Sequence, residues 1–171
     1  ERFSNKTAIA PTASISIICG GTSPGIEPIA ANSYTHKTLS GSFNVKNKYL
    51  KKILQKYGKD TDDVWSTITT NQGSVSHLDF LSAEEKDTFK TAFEIDQRWI
   101  VELGADRTPN ISQAQSVNIF VPADIHKKEL HDIHFQAWKK GLKSLYYCRS
   151  KSIQRAENVN KGSSTDVTKN V

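Results

Sequence analysis

The chain has 171 residues, 36% of them hydrophobic and 24% charged, enough apolar content for one globular core and too much for a wholly disordered segment. Its formal net charge of +5 and pI near 9.2 favour anionic partners such as nucleotides, nucleic acid or an acidic protein tail. No run approaches the roughly 18 apolar residues of a membrane span, and the N-terminus has no apolar signal core, so a cytoplasmic protein is expected.

In chain order, residues 6–10 are partly apolar and stopped by Pro11, the pattern of a strand running into a loop. Thr12 then opens a short helix reaching Cys19, followed by a run dense in turn formers, Gly20-Gly21-Thr22-Ser23-Pro24-Gly25. Asn47 caps a helix in which Leu50, Ile53, Leu54 and Tyr57 recur at helical spacing up to Gly58, with the lysines facing outward. A second short helix is predicted over residues 62–70, ended by Asn71-Gln72-Gly73. Ser82 and Glu85 have capping-box spacing, and Phe89, Phe93, Ile100 and Leu103 fall on one stripe, so a long helix is predicted from Ser82 with Gly104 as its interruption. Asp96 falls on the same stripe, which predicts a paired carboxylate at the helix edge or near a polar site.

Residues 116–121 alternate like a strand, and Pro122-Ala123-Asp124 supplies a turn and a cap. Leu130, Ile133, Ala137 and Trp138 form the next helical stripe, Gly141 ends it, and residues 143–147 return as a strand. Strands alternating with helices define an α/β fold class. Residues 1–155 therefore read as the folded part, and the polar residues 156–171, with little to bury, as a disordered tail. Ahead of that tail Lys139, Lys140, Lys143, Arg149, Lys151 and Arg155 follow one another without an intervening acid, the ordinary composition of a solvated face.

Chemistry has few places to reside. A helix starting after Pro11 leaves backbone N–H groups unpaired, and the hydroxyls of Thr12, Ser14 and Ser16 surround them; this composition fits an anion cradle and also fits simple capping. Tyr146 and Tyr147 are ordinary strand formers whose rings would point to opposite faces of a regular strand. A phenol can also lose an electron and a proton together when a neighbour accepts the proton, so packing and redox readings both stand. Cys19 and Cys148 have no metal-like spacing and fit a reducing compartment. His131 and His134 share a helical face but lack a third ligand, and Gly20-Gly21 lacks the lysine and spacing of a phosphate-binding P-loop.

Three segments decide between these readings: Ala10-Pro11-Thr12-Ala13-Ser14-Ile15-Ser16, Gly25-Ile26-Glu27-Pro28 and Leu142-Lys143-Ser144-Leu145-Tyr146-Tyr147-Cys148-Arg149. In order, spacing and flanking residues they resemble the C-terminal part of the large, catalytic subunit of class I ribonucleotide reductases. The resemblance runs over about residues 5–155 and takes in Tyr34-Thr35, Lys37-Thr38-Leu39-Ser40-Gly41, Ala92-Phe93-Glu94-Ile95 and Gln113-Ala114-Gln115-Ser116-Val117-Asn118.

The resemblance implies part of a ten-stranded α/β barrel that reduces ribonucleoside diphosphates to deoxyribonucleotides by a radical mechanism. It implies that Thr12, Ala13, Ser14, Ile15 and Ser16 hold the substrate phosphates, with Ile15 standing where a small hydroxyl residue is common. It implies that Tyr146 and Tyr147 relay an oxidising equivalent from a metal-containing small subunit, that an external dithiol supplies electrons, and that this segment binds no cofactor or metal itself. The family's catalytic cysteine lies on an upstream loop outside this sequence, so the segment is expected to be incomplete alone and to need the remainder of the catalytic subunit. Two readings compete with it. One is a basic nucleic-acid-binding module using the lysine-rich helix after Asn47 and the 139–155 stretch, with Trp138, Tyr146 and Tyr147 as stacking groups. The other is a folded interaction domain without chemistry.

Overall fold

The computed structural model describes residues 3–20, 23–39 and 41–151; the tail expected over 156–171 lies outside the described residues, as does Arg155. Helix α1 (Ala13–Ile18) is followed by a hairpin of β1 (Ser33–Thr38) and β2 (Gly41–Lys46). Four helices follow, α2 (Lys48–Lys56), α3 (Asp62–Thr70), α4 (Ala83–Thr88) and α5 (Gln97–Arg107). Strand β3 (Ile119–Val121), helix α6 (Lys127–Lys139) and strand β4 (Cys148–Ser150) complete the order.

The first core forms where local sequence signals agree. The Asn47 side chain accepts from the Tyr49 and Leu50 amides at 3.0 and 3.4 Å and starts α2 as its spacing predicts. Asp62 and Asp63 sit in the first turn of α3, where the helix dipole favours negative charge. Leu50 and Leu54 from α2 and Trp65 and Ile68 from α3 then pack with Val75, Leu78 and Leu81. Asn32 clasps this unit to the hairpin: its amide donates to Gly73 and Phe89 carbonyls at 3.0 and 2.8 Å and its carbonyl accepts from Asn47 at 2.9 Å. The chain passes so close here that a Cβ on Gly73, which has φ of 84°, would collide with Ala31.

The long helix predicted from Ser82 is broken into three pieces. The capping box of Ser82 and Glu85 forms, but α4 stops at Thr88, a 3-10 turn covers Ala92–Glu94, and α5 begins anew at Gln97. Polar side chains cause the breaks by competing for backbone groups. The Glu94 carboxylate accepts from the Thr91 amide at 2.8 Å, and Asp96 accepts from the Arg98 amide at 3.0 Å. Asp96 is thus paired with Arg98 at the helix edge, as its place on the stripe predicts, and it serves there as the N-cap of α5. Gly104 does not interrupt α5 but lies buried inside it, where a Cβ would sit 3.1 Å from Leu142. His126, not the Pro122-Ala123-Asp124 turn, caps α6.

β3, α6 and β4 form a parallel βαβ crossover with Ile119 opposite Cys148 and Val121 opposite Ser150. Val101, Ile119, Val121, Ile133 and Ala137 make the second core beneath it. The α/β class holds, but the strands are shorter than predicted. Residues 6–10 contribute a single parallel bridge, Ile9 to Gln115, and the strand expected over 143–147 begins at Cys148. Nor do the described residues close a ten-stranded barrel; they hold two two-stranded sheets.

Candidate functional site

One strand segment organises the site. On one side, Gln113 and Ser116 donate their amides to the carbonyls of Thr7 and Ile9 at 3.0 and 2.9 Å. On the other side, Tyr146 donates to Val117 at 2.8 Å and Ile119 donates to Tyr147 at 2.9 Å. The chain entering the 12–16 loop and the chain carrying the tyrosine pair therefore flank the same strand at consecutive register positions. Strand ends of this kind are where α/β folds place ligand-binding loops.

Proline at position 11 ends the first flanking segment, and α1 starts two residues later. Thr12 is anchored by its amide to the Pro24 carbonyl at 3.3 Å, and Ser16 donates its amide to Thr12 at 2.8 Å. The Ser16 hydroxyl is buried and donates to the Ala13 carbonyl at 2.8 Å, so it stabilises the turn. The amides of Ala13, Ser14 and Ile15 and the hydroxyls of Thr12 and Ser14 have no hydrogen-bond partner among the described residues. Ser14 is exposed, and the Ile15 side chain is 56% exposed. The five loop positions thus divide into an anchoring set, Thr12 and Ser16, and three free amides between them.

The rings of Tyr146 and Tyr147 lie 4.2 Å apart between centroids at an interplanar angle of 57°, closer than the 4.5–7 Å usual for aromatic pairs. A regular strand would separate them; here the Tyr147 amide turns to the Asn118 side-chain carbonyl at 3.2 Å. The hydrogen bond to Tyr147, with the charge interaction and burial behind it, pushes the Tyr146 phenol above its ordinary pKa, and Arg149 works against this. The Arg149 guanidinium lies 5.3 Å over the Tyr147 ring. Both tyrosines remain half exposed, and Tyr146 opens onto a groove of about 360 Å³ with Trp138, His134 and Cys148.

Other candidates are placed apart from this arrangement. His131 stacks on Phe135, and His134 Nδ1 lies 2.8 Å from the Leu130 carbonyl. Among the described residues no three His, Cys, Asp or Glu side chains gather as a metal would require, and no helix is long and apolar enough to cross a membrane. Cys19 and Cys148 are free and exposed. Two residues of the site carried no assigned role in the sequence, Glu27 and Asn118. The Glu27 carboxylate is buried and accepts from the Asn118 amide. The visible signal was an acid embedded between Gly25 and Pro28 in a turn.

Comparison with known proteins identifies the family. The family model described as the ribonucleotide reductase barrel domain matches residues 1–148. The chain belongs to that family. It is 52% identical over 163 residues to the ribonucleoside-diphosphate reductase large subunit of Invertebrate iridescent virus 6, covering 93% of this chain and 17% of the relative. It is 46% identical over 168 residues to the large subunit of Invertebrate iridescent virus 3, covering 96% and 27%. Among solved structures, the class Id ribonucleotide reductase alpha subunit of Actinobacillus ureae aligns with a TM-score of 0.76 and 40% identity, covering 86% of this chain and 26% of that one. The chain therefore spans about a quarter or less of the length of these relatives.

Proposed function

We propose that this chain is part of the catalytic subunit of a ribonucleoside-diphosphate reductase, contributing the substrate phosphate loop and the tyrosine radical relay. The observation that carries the reading is that the segment leading into the amides of Ala13, Ser14 and Ile15, unpaired among the described residues, flanks one side of a strand segment while the close, tilted pair Tyr146 and Tyr147 flanks the other, within a chain of this family. The loop amides and the Ser14 hydroxyl offer N–H and O–H groups to an anionic diphosphate at the start of a helix. The tyrosines exchange one electron and one proton: the phenol that loses both becomes the radical, and the neighbouring phenoxyl that gains both is restored. The close approach of the two rings provides the short path that this exchange needs.

A separate metal-containing small subunit supplies the oxidising equivalent, and an external dithiol supplies the electrons consumed at the substrate. The cysteine that the relay oxidises beside the substrate, losing its thiol electron and proton to the tyrosine radical, belongs to the remainder of the catalytic subunit, so this segment with small subunit and dithiol alone is expected to show no turnover. The cytoplasm provides the reducing setting that two free cysteines fit.

The loop assignment is tested by Ser14→Ala in the complete catalytic subunit. Loss of one hydrogen bond to a charged phosphate, about 1.5–3 kcal/mol, corresponds to at least about a tenfold rise in the Kd for a ribonucleoside diphosphate. The thermal midpoint should stay the same. Unchanged affinity would count against the loop, and turnover by the segment alone would require another catalytic thiol.

A further inference from the structure

The Gly25-Ile26-Glu27-Pro28 turn holds a carboxylate that the proposed chemistry does not use. Glu27 is 7% exposed, and no cation lies within ion-pair distance of it among the described residues. Burial of a carboxylate without a counter-charge costs free energy unless strong donors compensate. Its Oε1 accepts a hydrogen bond from the Asn118 amide.

The strand register explains why that amide is available. In a parallel ladder, donors to one neighbour recur at every second residue. Ser116 donates to Ile9, so the next donor on that side is Asn118, and its acceptor would be the carbonyl two residues past Ile9, that of Pro11. The first segment has by then turned away into α1. The Glu27 side chain occupies the position that a continuing strand would fill. Gly25 makes room for it, since a Cβ there would collide with Glu27 Oε2. From the same residue, Asn118, the side-chain carbonyl accepts the Tyr147 amide at 3.2 Å. One continuous connection thus runs from the turn after the 12–16 loop through Asn118 to the tyrosine pair.

We infer that Glu27 is a positioning residue: by replacing the missing strand carbonyl it fixes the spacing between the 12–16 loop and Tyr146 and Tyr147. The inference rests on the proposed roles of loop and pair. It assigns Glu27 no contact with substrate. Its loss is expected to leave phosphate binding to the loop amides intact while displacing bound nucleotide from the radical path, and a displacement of about 1 Å costs on the order of 100-fold in rate.

The test compares Glu27→Gln, Glu27→Ala and Gly25→Ala in the complete catalytic subunit with its small subunit, each scored for kcat, KM and nucleotide-binding stoichiometry. Glu27→Gln keeps an acceptor oxygen on the same stem and is expected to retain kcat within about threefold, whereas Glu27→Ala and Gly25→Ala lose roughly 100-fold with KM changed less than about threefold. Binding stoichiometry separates misplacement from unfolding, and if Glu27→Ala does not fold, the Gln and Gly25 variants decide. Full turnover in Gly25→Ala, or a Gln variant as slow as the Ala variant, would overturn the inference. A Tyr146→Phe control separates the two readings. If that control turns over, the relay reading itself fails; if it is inactive while Glu27→Ala is fully active, only the positioning role fails.

Discussion

The core between α2 and α3 and the core beneath β3 and β4 bury similar residue types, yet this chain covers them differently. In the first, Leu50, Leu54 and Ile68 have no exposed surface, and capped helices enclose them. In the second, Ile119 and Val121 are buried, but α5 and α6 turn Trp99 and Trp138 outward at 65% and 72% exposure, and every residue of β4 is exposed. Exposed apolar surface of this kind fits a face against which further protein packs. The first region is a self-contained support. The second adjoins the 12–16 loop and carries the tyrosine pair, and under the proposed function it is the part against which the rest of the catalytic subunit would pack.

The contrast can be broken most severely at Leu54. Leu54→Ala should destabilise this chain by about 2–5 kcal/mol in chemical denaturation, because the surrounding helices cannot collapse onto the space; a loss below about 1 kcal/mol would show the first core to be loose. Asn32→Ala should cost about 1–3 kcal/mol by leaving the Phe89 carbonyl and the Asn47 amide unpaired, with hydrogen exchange rising first in the hairpin. Ser82→Ala removes one cap and should cost about 0.5–2 kcal/mol, seen as fraying of α4 alone.

Acid sharpens the comparison further. Burial opposes the charge on Glu94, but hydrogen bonds from the Ser74 hydroxyl and from the Thr91 amide and hydroxyl outweigh it and hold the carboxyl below its usual range. The ionised form is thus favoured by the fold, and its contribution is present above the unfolded pKa of about 4.3 and lost as pH falls through the folded value. Glu94→Gln should flatten the acid limb of the stability curve; an identical slope would contradict the assignment. Smallest of all, Trp138→Ala should change the stability of this chain by less than about 0.5 kcal/mol, although the same residue in the complete subunit would cost more if the barrel covers it.

Legibility in the sequence follows the range of the forces involved. The starts of α2 and α4 were readable because Asn47 and Ser82 act on amides two or three residues away, whereas the cap of α3, Thr61, was not assigned from the sequence. The division at Asp96 was not, because an acid on an apolar stripe and an N-cap look alike until the backbone direction is known. The hairpin was missed altogether, since its pairing of Tyr34 with Val45 is set across strands and not by periodicity along one segment. At the site, the loop and the tyrosine pair were visible as motifs. Their common strand depends on pairings distant in sequence, and the Glu27 bridge joins partners 91 residues apart, so neither leaves a local pattern.

The central claim is that Tyr146 and Tyr147 act as a relay and not as packing. Substituting each separately by Phe in the complete, reconstituted enzyme keeps most of the ring and removes only the exchangeable O–H, and turnover is measured beside nucleotide affinity in the same preparation. The account predicts that either variant abolishes reduction while the Kd for ribonucleoside diphosphate stays within about threefold, well under the tenfold that 1.4 kcal/mol would produce. Retained turnover in either variant would contradict it and return both tyrosines to an ordinary role at the surface of the second core.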